Sequence, residues 1–136
     1  MVICRKDFWD YLHKIALRDG TTILVTTHYM DEAEKCTALA YINLGNLLYS
    51  GSTSDIIEFS KVESYLVDGD PVAIQQLIAS ISENHKKTLA GMVNNNLRIS
   101  SRNLTELAQI RQDYPELNYH KTTPSFEEVF IGLIPQ

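Results

Sequence analysis

At 136 residues the chain has room for one ordinary domain or two small ones, with a core that is adequate rather than large. Its 12 Lys and Arg against 17 Asp and Glu give a formal net charge of -5 with no basic stripe, which argues against a nucleic-acid partner, because phosphate neutralisation needs clustered cations. No apolar run approaches the ~20 residues of a membrane-spanning helix and the amino terminus shows no signal-peptide pattern. The two cysteines, Cys4 and Cys36, fit reduced thiols without zinc spacing, so a cytoplasmic location is expected.

In chain order, Phe8, Trp9, Leu12, Ile15 and Ala16 recur at helical spacing and predict an amphipathic helix over residues 6–17, ended by Asp19-Gly20. Residues 22–27 are β-branched and apolar with little alternation, which predicts a strand covered on both faces, as in a parallel sheet. His28 stands at its carboxyl end, the edge where ligands gather in open α/β sheets. A helix over 30–36 comes next, with Asp31, Glu32 and Glu34 in its first turns. There each exposed carboxylate favours the helix dipole by about 0.3–1 kcal/mol, and the cluster reads as helix stabilisation on a solvated face. A metal set of His28, Asp31, Glu32 and Cys36 has no second histidine one turn on, and His13, His85 and His120 are scattered, so no metal site is predicted. A nucleophilic Cys36 with His28 as base has no nameable oxyanion donor or orienting third group.

Residues 39–43 and 47–50 predict two short strands around a Gly45-Asn46 turn, and Ser52 or Thr53 can cap a helix over 55–59. Residues 60–63 mark a boundary. Beyond it come a strand at 65–67, a turn that puts Pro71 at the first helical position, and a helix over 72–82. A hairpin of 88–93 and 97–100 turns around Asn94-Asn95-Asn96, because asparagine tolerates positive φ. Asn103 caps a helix over 104–113 with Glu106 placed for a capping box, a strand is expected at 117–121, and a last helix starts at Pro124. Strand, helix, strand, strand, helix, strand is the order of a ferredoxin-like unit. Phe126, Val129, Phe130, Ile131, Leu133 and Ile134 form an apolar stripe suited to burial on the chain's own sheet or to docking on a partner.

Val-Thr-Thr-His-Tyr-Met-Asp-Glu-Ala-Glu at 25–34, succeeded by Leu-Ala-Tyr-Ile-Asn-Leu-Gly-Asn-Leu-Leu-Tyr-Ser-Gly-Ser at 39–52, resembles the switch-histidine segment and hairpin of ATP-binding cassette (ABC) transporter ATPases. The likeness is to the exporter branch that moves drugs, lipids or polysaccharides. Arg5-Lys6-Asp7-Phe8-Trp9 resembles the segment just after the family's D-loop, with Met1-Val2-Ile3-Cys4 in the place of that loop, and Pro124-Ser125-Phe126-Glu127-Glu128-Val129-Phe130 resembles the family's last helix.

The resemblance implies an α/β remnant of a P-loop nucleotide-binding domain over 1–59, joined to a ferredoxin-like α+β accessory domain over 60–136. It implies that His28 is the switch histidine, contacting the γ-phosphate and working only with the N-terminal part of that domain. The parent would bind ATP and Mg, hydrolyse ATP to drive export, and sit peripheral to the membrane against a transmembrane permease subunit and a second ATPase subunit. The sequence holds no Gly-x-x-x-x-Gly-Lys-Ser/Thr phosphate loop, no Leu-Ser-Gly-Gly signature, and no strand ending in Asp-Glu before His28. Those parts do nearly all the positioning and electrostatic work in such enzymes. The expectation is a carboxyl-terminal piece with no cofactor site of its own, inactive alone. The alternative is an accessory module for homodimer or permease contacts.

Overall fold

The computed structural model describes residues 5–135, so Met1-Val2-Ile3-Cys4, read at the D-loop position, lies outside the described residues. The described residues fall into two compact units, 5–36 and 37–135.

In the first unit α1 (Arg5–Asp19) forms where the apolar spacing predicts it, and Gly20 leaves the helix with φ 63°. The expected buried strand is not found. Residues 21–27 form no regular element and pair with no strand among the described residues; Ile23, Val25 and Thr27 are half-buried, while Thr22, Leu24 and Thr26 are exposed, Leu24 by 94%. A strand covered on both faces needs hydrogen-bonded neighbours and two covering layers. The described part of this unit has only helices to offer. The next helix, α2 (Met30–Ala33), is a single turn rather than the seven residues expected.

The second unit is a small α/β domain with two antiparallel sheets. Strands β1 (Ala38–Asn43) and β2 (Asn46–Ser52) form a hairpin, with Asn43 paired to Asn46. The two-residue turn is therefore Leu44-Gly45, with φ 50° and 80°, one residue earlier than expected. That places a 92%-exposed leucine in a left-handed slot. Helix α3 (Ile56–Ser60) comes after it, and Ser52 Oγ accepts the Asp55 N–H at 3.3 Å just before the helix.

Strands β3 (Glu63–Asp68), β4 (Thr88–Val93), β5 (Asn96–Ser101) and β6 (Asn118–Thr122) form the larger sheet in the order β4-β5-β3-β6, every pair antiparallel. Helices α4 (Pro71–Asn84) and α5 (Leu104–Asp113) alternate with these strands, and α6 (Phe126–Leu133) closes the chain. The local chemistry explains the turns. Asn94 and Asn95 both take positive φ between paired Val93 and Asn96, a type I′ hairpin. Asp70 accepts the Ala73 N–H ahead of Pro71, and Asn103 accepts the Glu106 N–H at 3.1 Å. The predicted capping box at Asn103 is only half present. The Asn103 N–H goes to Ser101 Oγ at 2.9 Å and the Glu106 carboxylate accepts from Thr88 Oγ1 at 2.8 Å.

Strand alternation sorts the sheet into two faces. Tyr65, Val67, Leu97 and Ile99 pack against Ala73, Leu77 and Ile81 of α4 and Leu107 and Ile110 of α5. Each leucine or isoleucine fully buried there contributes about 1.5–3 kcal/mol relative to exposure. The opposite face presents Ser64, Arg98 and Ser100 toward α6, whose Val129, Phe130 and Leu133 are buried. Helix α6 also packs on α3, and Tyr41 of β1 donates to the Phe130 carbonyl at 3.1 Å with the two rings edge-on at 4.5 Å. Thus β1, β2 and α3 share a compact unit with the last helix, and residues 59 and 60 both lie within it.

Glu128 fixes the end of α6. It accepts the Ser125 N–H at 2.8 Å while Ser125 Oγ accepts the Glu128 N–H, a full capping box, and it also holds Arg98 at 2.8 Å. Burial opposes its charge, but bonds from Arg98, the Ser125 amide and Ser100 outweigh this and keep the carboxyl below its usual range.

A left-handed non-glycine residue costs on the order of 1–2 kcal/mol where asparagine is tolerated, so Leu44→Asn should gain about 0.5–1 kcal/mol in urea unfolding. An unchanged midpoint would refute the strained turn. The Glu128 carboxyl is lowered on folding, so its contribution is complete above the unfolded value of about 4.3 and disappears as pH falls through the lower folded value. Glu128→Gln should therefore be less stable than the natural protein at pH 7 and lose less stability between pH 5 and pH 2. Parallel pH curves for the two proteins would contradict this.

Candidate functional site: the His28 turn

His28 lies at a bend between residues 21–27 and α2. Thr27 Oγ1 accepts the Tyr29 N–H at 3.0 Å and closes the bend around His28. The same hydroxyl donates to Glu32 Oε1 at 2.6 Å, and Glu32 Oε2 accepts the indole N–H of Trp9 at 2.9 Å. Trp9 is 4% exposed, and a buried indole N–H has only a donor to offer, so it must find an acceptor. One carboxylate thus ties α1, the bend and α2 together. The Thr27 and Trp9 bonds outweigh burial, with Arg5 and Lys35 assisting, and hold the Glu32 carboxyl below its ordinary range.

Around this clamp, the Arg5 guanidinium lies 4.3 Å over the Tyr29 ring and 3.8 Å from Asp31. The Lys35 ammonium is 5.7 Å from the Trp9 ring centroid. The His28 ring is exposed, lies 4.2 Å from the Tyr29 ring, and is hydrogen-bonded to none of the described residues. Its imidazole is therefore presented outward from a bend whose backbone is pinned.

Of the acidic cluster read as a solvated face, Asp31 meets Arg5, but Glu32 is the keystone of the unit, a role that sequence reasoning missed. The signal for it is the lone tryptophan on the buried face of α1. Cys36 Sγ lies 3.7 Å from the Glu32 carbonyl oxygen, and burial, then the Glu32 charge, pushes the thiol up, which disfavours the nucleophilic thiolate. Among the described residues no group of three or more His, Cys, Asp or Glu is arranged to hold a metal. For a nucleotide, His28 offers one free contact while the Thr27 hydroxyl is already engaged, so this bend does not by itself form a phosphate cradle.

Over 134 residues, 97% of its length, the chain is 28% identical to the probable multidrug ABC transporter ATP-binding protein YbhF of Escherichia coli (strain K12). Over 132 residues, 92% of its length, it is 30% identical to the Nod factor export ATP-binding protein I of Burkholderia orbicola. The chain is homologous to ABC transporter ATP-binding proteins. A 55-residue stretch is 40% identical to the Nod factor export ATP-binding protein I of Neorhizobium galegae. The chain spans 23% of the YbhF length and 40% of the Burkholderia relative, which fits a carboxyl-terminal portion of an ABC ATP-binding protein. No protein-family model and no solved structure matches it. The similarity to the ABC relatives runs through both compact units, so it includes the His28 bend and the four-stranded sheet alike.

Trp9 is the chain's one tryptophan and reports on the clamp directly. With His13, whose ring lies 5.8 Å from the indole, replaced by Gln, its emission should stay constant on acidification until the pH is below the ordinary glutamate value of about 4.3, then shift as Glu32 protonates, and Glu32→Gln should abolish that transition. A transition at or above the ordinary value, or one that survives in Glu32→Gln, would show that Glu32 does not hold the indole.

Proposed function

We propose that the chain is the carboxyl-terminal part of an ATP-hydrolysing subunit that powers export across a membrane, and that His28 is its switch histidine, reaching the terminal phosphate of a nucleotide held elsewhere in the subunit. The observation that carries this is the similarity to ABC transporter ATP-binding proteins over 97% of the chain, with His28 exposed on a pinned bend. In this reading residues 1–59 belong to the nucleotide-binding domain and 60–136 form a ferredoxin-like accessory domain. The succession β3-α4-β4-β5-α5-β6, with β6 beside β3 at one edge, supports the second assignment.

ATP and Mg would be held by residues outside this chain, which is then inactive alone. The partners would be a membrane permease subunit and a second ATPase subunit, on the cytoplasmic face. Among the described residues no helix is long and apolar enough to cross a membrane. The alternative of a purely accessory contact module through the terminal helix draws less support, because Val129, Phe130 and Leu133 of its stripe are buried within the unit.

Calorimetric titration of the chain with Mg-ATP should show no micromolar binding. In a subunit completed with a phosphate-loop portion, His28→Ala should lower ATP turnover on the order of 10²-fold or more, the usual effect of removing one positioned donor, with ATP affinity little changed. Micromolar binding by the chain alone, or undiminished turnover in His28→Ala, would overturn the proposal.

A further inference from the structure

A second candidate site is formed wholly by residues of the larger unit. A cavity of about 650 Å³ opens between α6, the start of β4 and the start of α5, with Leu89, Ile131 and Ile134 as apolar lining and Lys86, Lys87 and Arg102 supplying cations. None of these three cations has a carboxylate partner among the described residues; Arg102 reaches only the Gly132 carbonyl, at 3.2 Å. The carboxylate that does line the cavity, Glu128, is already neutralised by Arg98 at 2.8 Å. A net-negative chain thus gathers unpaired positive charge beside a partly apolar hollow of ligand-binding size.

The independent observation is the strand beside it. As a terminal strand of its sheet, β4 has one unpaired edge, and Thr-Leu-Ala-Gly-Met-Val carries no charge and no proline. Met92 and Val93 are 57% and 49% exposed, and a Cβ added at Gly91 would meet nothing within 4 Å. The other edge is guarded: on β6, Lys121 lies 3.1 Å from Glu63 and His120 lies 3.7 Å from Asp68. Natural sheets protect exposed edges with charges of this kind, and an unguarded one is a template for an added strand. Main-chain bonds then provide affinity and adjoining pockets select side chains.

We propose that the β4 edge and the neighbouring cavity form a docking groove for an extended, acidic segment of a partner protein. The segment adds as a strand to β4, sets an aspartate or glutamate against Lys86, Lys87 and Arg102, and places an apolar side chain between Leu89 and Ile131. The proposal is independent of the role of His28 and stands or falls separately from it.

The test is selection of a random twelve-residue peptide library on the full chain, with binding of the selected peptides measured by fluorescence anisotropy. Enriched peptides should combine Asp or Glu with alternating apolar residues. They should bind at least tenfold more weakly at 300 mM than at 50 mM salt, and at least tenfold more weakly to the Lys86→Glu/Lys87→Glu variant, whose substitutions are on the surface. Binding should also slow amide exchange within 89–93. Met92→Pro provides a second variant that removes an edge N–H without touching the cations. Failure to enrich any peptide, enrichment without acidic residues, or binding to either variant as tight as to the natural protein would overturn the proposal. So would exclusive binding to vesicles of equal phosphatidylserine and phosphatidylcholine, or self-association through β4 that excludes peptide.

Discussion

The Glu32 carboxylate is what gives residues 21–27 a fixed end. That stretch presents backbone donors and acceptors that no strand among the described residues meets, so ladder bonding does not determine where its terminus points. The carboxylate does so from outside the stretch, by accepting the Thr27 hydroxyl and the Trp9 indole at once. Leaving the indole N–H without an acceptor in its buried position would cost about 1–3 kcal/mol. The direction of His28 is therefore set by the need of a tryptophan on the preceding helix to satisfy its single donor.

A second carboxylate does comparable work in the larger unit, on a more complete scaffold. Glu128 caps α6 and pairs with Arg98, whose guanidinium also donates to the Thr123 carbonyl at 2.7 Å. The helix can come close because the residues it meets are small. Ser64 and Ser100 lie beneath it, and a Cβ on Gly132 would fall 2.7 Å from Val62 Cγ2. Small residues bring α6 down at this point, while Ile131 and Ile134 beyond the contact stay partly exposed and line the cavity. The hollow is thus a consequence of how α6 is anchored.

The larger sheet was legible in the sequence because each local signal agrees with its tertiary setting. Asn94-Asn95 demands a tight turn and receives one, and Asp70 with Pro71, and Asn103, start helices that then bury alternating apolar faces. The misreadings share a cause. The apolar run at 22–27 states what the stretch would do given neighbours and carries no information about whether neighbours exist. Leu44-Gly45 displaced the expected Gly45-Asn46 turn because the pairing of Asn43 with Asn46 sets the register, which outweighs the cost of a left-handed leucine. Glu32 reads as a first-turn acid on a solvated face and Glu106 as the capping-box partner of Asn103. Both are claimed by distant donors, Trp9 Nε1 and Thr88 Oγ1, and only the first leaves a sequence signal, the lone tryptophan on α1. Ser125-x-x-Glu128 does carry the capping-box spacing, a signal that the neighbouring Pro124 obscures.

The two units differ in what they leave open, and the difference bears on function. The stretch at 21–27 pairs with no strand among the described residues, and under the proposed function the role of His28 depends on neighbours for it. Strand β4 belongs to a finished sheet with a filled core on one face, and its edge has room for one strand more. The docking proposed at β4 therefore requires no reorganisation of the unit that carries it, since the ordering cost falls on the incoming segment alone. The β4 edge and its cavity are formed wholly within residues 37–135, so the docking proposed there draws on no residue of the histidine bend.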